Sequence, residues 1–276
     1  MTHIEMKFYE TYYYANVIHN ILRNQFDWLV NLHQWHENHG EEMFLQHFNK
    51  WSVFHDFCYC IIDNLVSEKI DDIEEDRLCQ DHTAVPWIDH ALAYHNIDHD
   101  GFDAWLRSIN VKRQNINQDT LFEYHQELVL TGEQDALITT MTNELFTVLF
   151  ANRQLMELFN RYVSMVISRY KISEVDETLR SEMKSDGVVR RADIPEWVKK
   201  AVYYRERGKC AQCTKDLMGI VSIFDARHYD HIIPLAEGGI NDITNIQLLC
   251  EACNLSKGRK IVSTSCRYEP WYEYIR

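Results

Sequence analysis

The sequence predicts a mainly α front part followed by a small α+β module towards the C-terminal end. Three observations lead there. Glycine and proline are scarce, nine and four in 276 residues, while aromatics reach 12%; turn-makers are too few for a many-stranded sandwich. Apolar residues recur at helical spacing over most of the first 170 residues. Beyond residue 190 the pattern changes to two Cys-x-x-Cys pairs separated by 36 residues, with short apolar runs between them.

Each front element follows from spacing and punctuation. Tyr12 to His36 carries Val17, Ile18, Ile21, Leu22, Phe26, Leu29 and Val30 on a helical repeat, closed by His39-Gly40. A second helix is expected over Glu41 to Glu68, and the acidic run Asp71 to Asp76 reads as an exposed loop. Pro86 opens a short helix, since proline is tolerated in a first turn, and another follows over Gly101 to Ile109. Asn117 caps a helix that ends at Thr131-Gly132. Glu133 to Tyr170 reads as the longest helix, apolar nearly all round from Leu145 to Phe159 and so expected to be buried. The polar stretch 171–189 is the expected boundary between a domain at 1–186 and one at 187–276.

With 46% hydrophobic and 25% charged residues the chain can bury a core. No secretory leader and no apolar run near the ~18 residues of a membrane span is visible. The eight cysteines include four outside the pairs, Cys58, Cys60, Cys79 and Cys266. Together these point to a reducing, cytoplasmic setting with no membrane partner. The net charge of −14 is unevenly spread: residues 187–276 hold 14 Lys and Arg against 11 Asp and Glu, leaving 14 against 31 in the first 186. An acidic total therefore does not exclude nucleic acid, because phosphate binding depends on the local face. Twelve of the fourteen histidines lie before residue 126, among them His33, His36, His39, His82, His90, His95 and His99. Their spacing follows no pattern with a specific mechanism, and they read as solvated or partly buried side chains.

Cys210, Cys213, Cys250 and Cys253 form two hooks of the spacing that grips one tetrahedral zinc. Four sulfurs leave no open coordination position, so this zinc is expected to be structural. The insert is too long for a simple zinc ribbon. It holds Tyr229-Asp230-His231 at the end of an expected strand, Ile220 to Tyr229, then a loop Pro234 to Gly239. Asn245 follows, ahead of a second strand at Ile246 to Leu249, and Asn254 stands beside the last cysteine, where a helix is expected to begin.

In this order of residues the chain resembles the HNH endonuclease family, over roughly residues 190–262 and including Ala192-Asp-Ile-Pro-Glu-Trp-Val-Lys-Lys. The resemblance implies a ββα-metal fold and these roles. His231 is the general base that takes a proton from the attacking water, and Asp230 ligates a catalytic Mg2+ or Mn2+. Asn245 orients His231 through hydrogen bonds across the loop. Asn254 stands where the family usually has histidine, an HNN variant whose amide oxygen favours a hard cation. Lys257, Arg259 and Lys260 are expected phosphate contacts. His228 reads as a surface or strand residue.

The implied function is a metal-dependent endonuclease acting on DNA, with RNA left open. A catalytically silent zinc module serving as an adaptor or nucleic-acid anchor is the alternative. The acidic helical front is expected to bind a protein partner, self-associate or restrain the nuclease. The architecture is similar to effector nucleases of bacterial phage-defence systems, or of mobile elements.

Overall fold

The front of the chain breaks into shorter helices than its apolar spacing suggests. In the computed structural model, which describes residues 10–71, 75–81, 83–219, 222 and 225–265, α1 (Thr11–Arg23) and α2 (Leu29–His39) flank a 3₁₀ turn, Gln25–Trp28. The spacing predicts one helix here. Gln25 ends the first by donating its side-chain amide to Leu22 O at 3.1 Å. The single helix predicted over 41–68 is likewise two, α3 (Glu42–Leu45) and α4 (Val53–Asp71). Between them Phe48 sits at φ +52°, and Ser52 Oγ accepts from His55 N as the cap of α4.

Short helices α5 (Glu75–Gln80), α6 (Trp87–Tyr94, after Pro86) and α7 (Phe102–Ser108) follow. The acidic stretch expected as a loop is thus partly helical, with residues 72–74 outside the described residues, as are His82 and Cys266. Next, α8 (Gln118–Thr131) starts at Asn117, whose side chain accepts from Thr120 N, and ends at Gly132 with φ +92°. The long helix predicted over 133–170 divides into α9 (Glu133–Phe150) and α10 (Arg153–Ile167). Asn152 is the cause, since its carbonyl oxygen takes Leu155 N at 3.2 Å and caps a new helix.

The C-terminal part opens with a hairpin the sequence did not advertise, β1 (Met183–Ser185) with β2 (Val188–Val189). It turns through Gly187 at φ +68°, where a Cβ would meet Ser168 backbone at 3.1 Å. Then come α11 (Glu196–Arg205), β3 (Tyr229–His231), β4 (Ile246–Leu248) and α12 (Glu251–Lys257). Strands β3 and β4 are antiparallel, with Asp230 opposite Gln247 and His231 opposite Ile246. Strand β3 is shorter than the expected Ile220 to Tyr229: residues 226–228 form a 3₁₀ turn, and 220, 221, 223 and 224 lie outside the described residues.

Two compact units arise. One takes the chain up to Ile18 together with Phe57–Phe146. Its core is built on Phe57, Ile62, Leu92, Phe102, Leu121 and Leu137. There Asp89, buried, accepts from Phe102 N at 2.8 Å and from Tyr124 Oη at 2.7 Å, and burial pushes its carboxyl above the usual range.

The other unit takes His19–Asp56 and Thr147 onward. It therefore extends well beyond the 187–276 module expected from composition, and α10 shows why. One side of this helix packs Phe159 on Trp35 and Phe54, ring centroids 6.0 and 4.8 Å apart. A second stripe, Arg153, Glu157, Asn160 and Ser164, repeats at one-face spacing and clasps the β3–β4 region. Arg153 donates to Ala211 O at 3.1 Å and pairs with Glu206 at 3.2 Å. Glu157 takes Thr264 N at 2.8 Å, and Asn160 donates to Thr244 Oγ1 at 3.2 Å. At Gly238, φ +80°, a Cβ would lie 2.6 Å from Ser164 O.

Glu206 has a fully buried side chain shared between Arg153 and Arg205. Removing one partner of a buried pair strands the other charge. Arg153→Met is expected to lower the unit's stability by about 3 kcal/mol, the low end of the usual cost because Arg205 remains, as read by urea unfolding.

Candidate active site

The two Cys-x-x-Cys hooks converge. All four Sγ atoms lie within 4.8 Å of one another, and Cys213 and Cys250 are 3.7 Å apart. Two corners of a tetrahedron with Zn–S bonds of about 2.3 Å are about 3.8 Å apart, so the cluster fits a zinc ion. Four thiolates this close repel one another unless a dication sits among them. Burial raises the Cys210 thiol, and the Lys215 backbone N–H lowers that of Cys213. Among the described residues this is the one group of three or more His, Cys, Asp and Glu side chains able to hold a metal.

The cluster roots α12. Cys250 is its N-cap and Cys253 lies within it, so the helix starts at Glu251, three residues ahead of the expected Asn254. Asn254 is in the second turn and half-buried, its Nδ2 donating to Arg227 O at 2.8 Å. That bond leaves its Oδ1 as an oxygen donor, chemistry that fits a hard cation.

One helical turn beyond Asn254 stands Lys257, and here the sequence expectation fails. Lys257 is not a phosphate contact: it is 2% exposed, its ammonium 2.6 Å from Asp230 Oδ2 and 2.7 Å from His231 O. Lys257 closes the short helix α12, and the carboxylate beside it compensates the buried charge.

Successive strand residues point to opposite faces, so Asp230 faces α12 while His231 faces away from it. His231 is 2% exposed, and Nε2 lies 3.2 Å from Asn241 Oδ1. Burial, reinforced by the Arg191 guanidinium, pushes its pKa down to about 4 despite the nearby Asp230 carboxylate, which keeps the ring neutral near pH 7. Both residues line one cleft of about 330 Å³, together with Lys184, Arg191 and Arg259. Arg259 lines this cleft, and the exposed Lys260 is not among the lining residues.

Asn245 bonds across the loop, and the His231 ring has a different partner. Fully buried, Asn245 accepts from Ile233 N at 2.8 Å and donates to Ile233 O at 3.0 Å and Ile240 O at 2.9 Å. It closes the 233–240 loop and so sets the end of β3. Gly239 beside it is obligatory, since a Cβ would fall 2.0 Å from Ile233 O. The ring's partner is Asn241, which the sequence reading passed over. Lys184 and Arg191 were also missed, although the Arg190-Arg191 pair ahead of the module was a visible signal. His228 is buried, with Nδ1 2.9 Å from Leu249 O, and takes no part in the cleft.

Two short antiparallel strands followed by a helix rooted on a sulfur cluster make this a ββα module of the zinc-hook type. Residues 210–260 match the family model for HNH endonuclease, within the stretch that carries the sequence resemblance. No curated protein and no solved structure matches the chain significantly.

If Lys257 is a buried counter-charge and not a solvated one, Lys257→Met strands Asp230. A loss of about 2–4 kcal/mol is expected, below the full cost of breaking a buried pair because Asp230 keeps some exposure. A solvated lysine would change stability by less than about 0.5 kcal/mol in the same denaturant titration.

Proposed function

We propose that the chain is a metal-dependent endonuclease that hydrolyses phosphodiester bonds in DNA. One observation carries this reading: Asp230 and His231 open onto a single cleft with Lys184, Arg191 and Arg259, cations from three separate segments. A phosphate backbone entering there meets positioning charge on several sides, while the net acidity of the chain lies elsewhere. His231, neutral near pH 7, accepts the proton of the attacking water. Asp230 and the Asn254 Oδ1 are the hard oxygens that would hold Mg2+ or Mn2+. When bound, such a cation polarises the scissile phosphate and stabilises the leaving 3′-oxygen. Lys257 on Oδ2 reduces the charge Asp230 offers, which suits a weakly held cation. The four cysteines hold a structural zinc that fixes α12 against the hairpin.

A second reading draws on the same Lys257–Asp230 pair. An ammonium already seated on the carboxylate suits a catalytically silent module that anchors nucleic acid or an adaptor. The helical front, acidic in sequence, is the part we assign to a protein partner or self-association, and a phage-defence setting rests on architecture alone.

Supercoiled plasmid and a structured RNA, each incubated with Mg2+, Mn2+ or EDTA, separate these readings. Cation-dependent nicking of the plasmid, abolished in His231→Ala, is the expected result. Binding without cleavage under every cation would favour the silent module, and cleavage confined to RNA would correct the substrate.

A further inference from the structure

We infer that Glu182, His47 and Asn241 form a positioning chain that fixes the tautomer of His231, so that Nδ1 is the atom that takes the proton. The step it serves rests on the nuclease reading above; the hydrogen-bond geometry does not.

The orientation of the Asn241 amide decides the direction of the chain. Arg190 O can only accept, so it takes Nδ2, at 2.8 Å. Ala192 N can only donate, so it faces Oδ1, at 3.4 Å. With the amide fixed from both sides, Oδ1 can only accept from His231 Nε2, 3.2 Å away. The ring therefore carries its proton on Nε2 and its lone pair on Nδ1, which has no hydrogen-bond partner among the described residues. The second amide hydrogen points at His47 Nδ1, 3.1 Å away. His47 then holds its own proton on Nε2, 2.8 Å from Glu182 Oε2. From His231 to the carboxylate every donor meets an acceptor, and no other assignment satisfies Arg190 O and Ala192 N together.

The backbone around His47 is shaped for this contact. Phe48, at φ +52°, donates its N–H to Asn241 O at 2.8 Å. Val53 N donates to Asp242 Oδ2 at 3.0 Å. The 46–53 loop thus grips Asn241 and Asp242 at three points, one of them beside a residue in a left-handed conformation. Such conformations persist where the surroundings over-determine them. Asn241 itself is 1% exposed. His47 and Glu182 lie outside residues 210–260, so the family-matched segment does not supply its own second half of the chain.

In the step this serves, the water oxygen forms a bond to phosphorus, the bond from phosphorus to the 3′-oxygen breaks, and the water proton moves to Nδ1. Nε2–H stays on Asn241 throughout, and the departing 3′-oxygen takes its proton from solvent. His47, Asn241 and Glu182 touch no reacting atom. They are positioning residues, of the kind whose loss costs about 10–100-fold.

The test is ¹⁵N NMR of histidine-labelled full-length protein, with the His231 signal assigned through His231→Gln, alongside plasmid-nicking kinetics. The wild type should show a single Nε2–H tautomer. His47→Ala and Asn241→Leu should give mixed tautomers and a kcat lower by about 10–100-fold with KM unchanged. His47→Gln, whose amide oxygen can take the Asn241 hydrogen and whose NH2 can donate to Glu182, should restore both. An unchanged His231 tautomer in His47→Ala and Asn241→Leu would overturn the inference, as would a His47→Gln variant no better than His47→Ala. A wild type that cuts nothing, with tautomers that respond as stated, would sink the nuclease reading and leave the positioning chain standing.

Discussion

Two strands of three residues cannot hold a pair of reactive side chains in place by themselves, since an isolated hairpin is marginal even at greater length. The geometry of Asp230 and His231 depends on what grips that hairpin. Asn245 does so from within, using one buried side chain to tie the loop through Ile233 and Ile240. Lys257 does so from below, joining α12 to the Asp230 side chain and the His231 carbonyl. The stripe along α10 does so from outside, through Ala211, Thr264 and Thr244. Each grip is a buried polar contact, and buried polar groups are costly to leave half-satisfied.

The same burial shapes the electrostatics of the site. A neutral His231 and a carboxylate compensated by a buried ammonium are consequences of where side chains are sealed from water, not of net charge. The chain as a whole is acidic, yet the cleft is lined by Lys184, Arg191 and Arg259. Local field and global charge are independent quantities here.

Much of this was legible in the sequence, and the reason differs by element. The four-cysteine cluster was readable because ligand spacing is a local property. Asn117 and Gly132 marked the ends of α8 because caps act over three residues. Asp230-His231 at the end of β3 followed from the resemblance. Breaks at Gln25 and Asn152 were hidden because a capping side chain inside a continuous apolar repeat looks like any other polar residue. Lys257 looked like solvated charge because burial of a lysine depends on a carboxylate 27 positions away in sequence. Asn241 and His47, 194 positions apart, meet only in the fold. The extent of the unit was hidden likewise: composition changes near residue 187, but contacts recruit His19–Asp56 and α10.

The reactive hairpin is held by segments outside its own module. Amide hydrogen exchange on the zinc-loaded full chain, compared with zinc-loaded residues 187–276 alone, tests it most directly. In the fragment Thr264, without Glu157, is expected to lose protection, and Ile232 and Ile233 to exchange faster by about 100-fold or more, an opening easier by about 2.7 kcal/mol. A fragment whose Ile232, Ile233 and Thr264 amides exchange as slowly as in the full chain would contradict it.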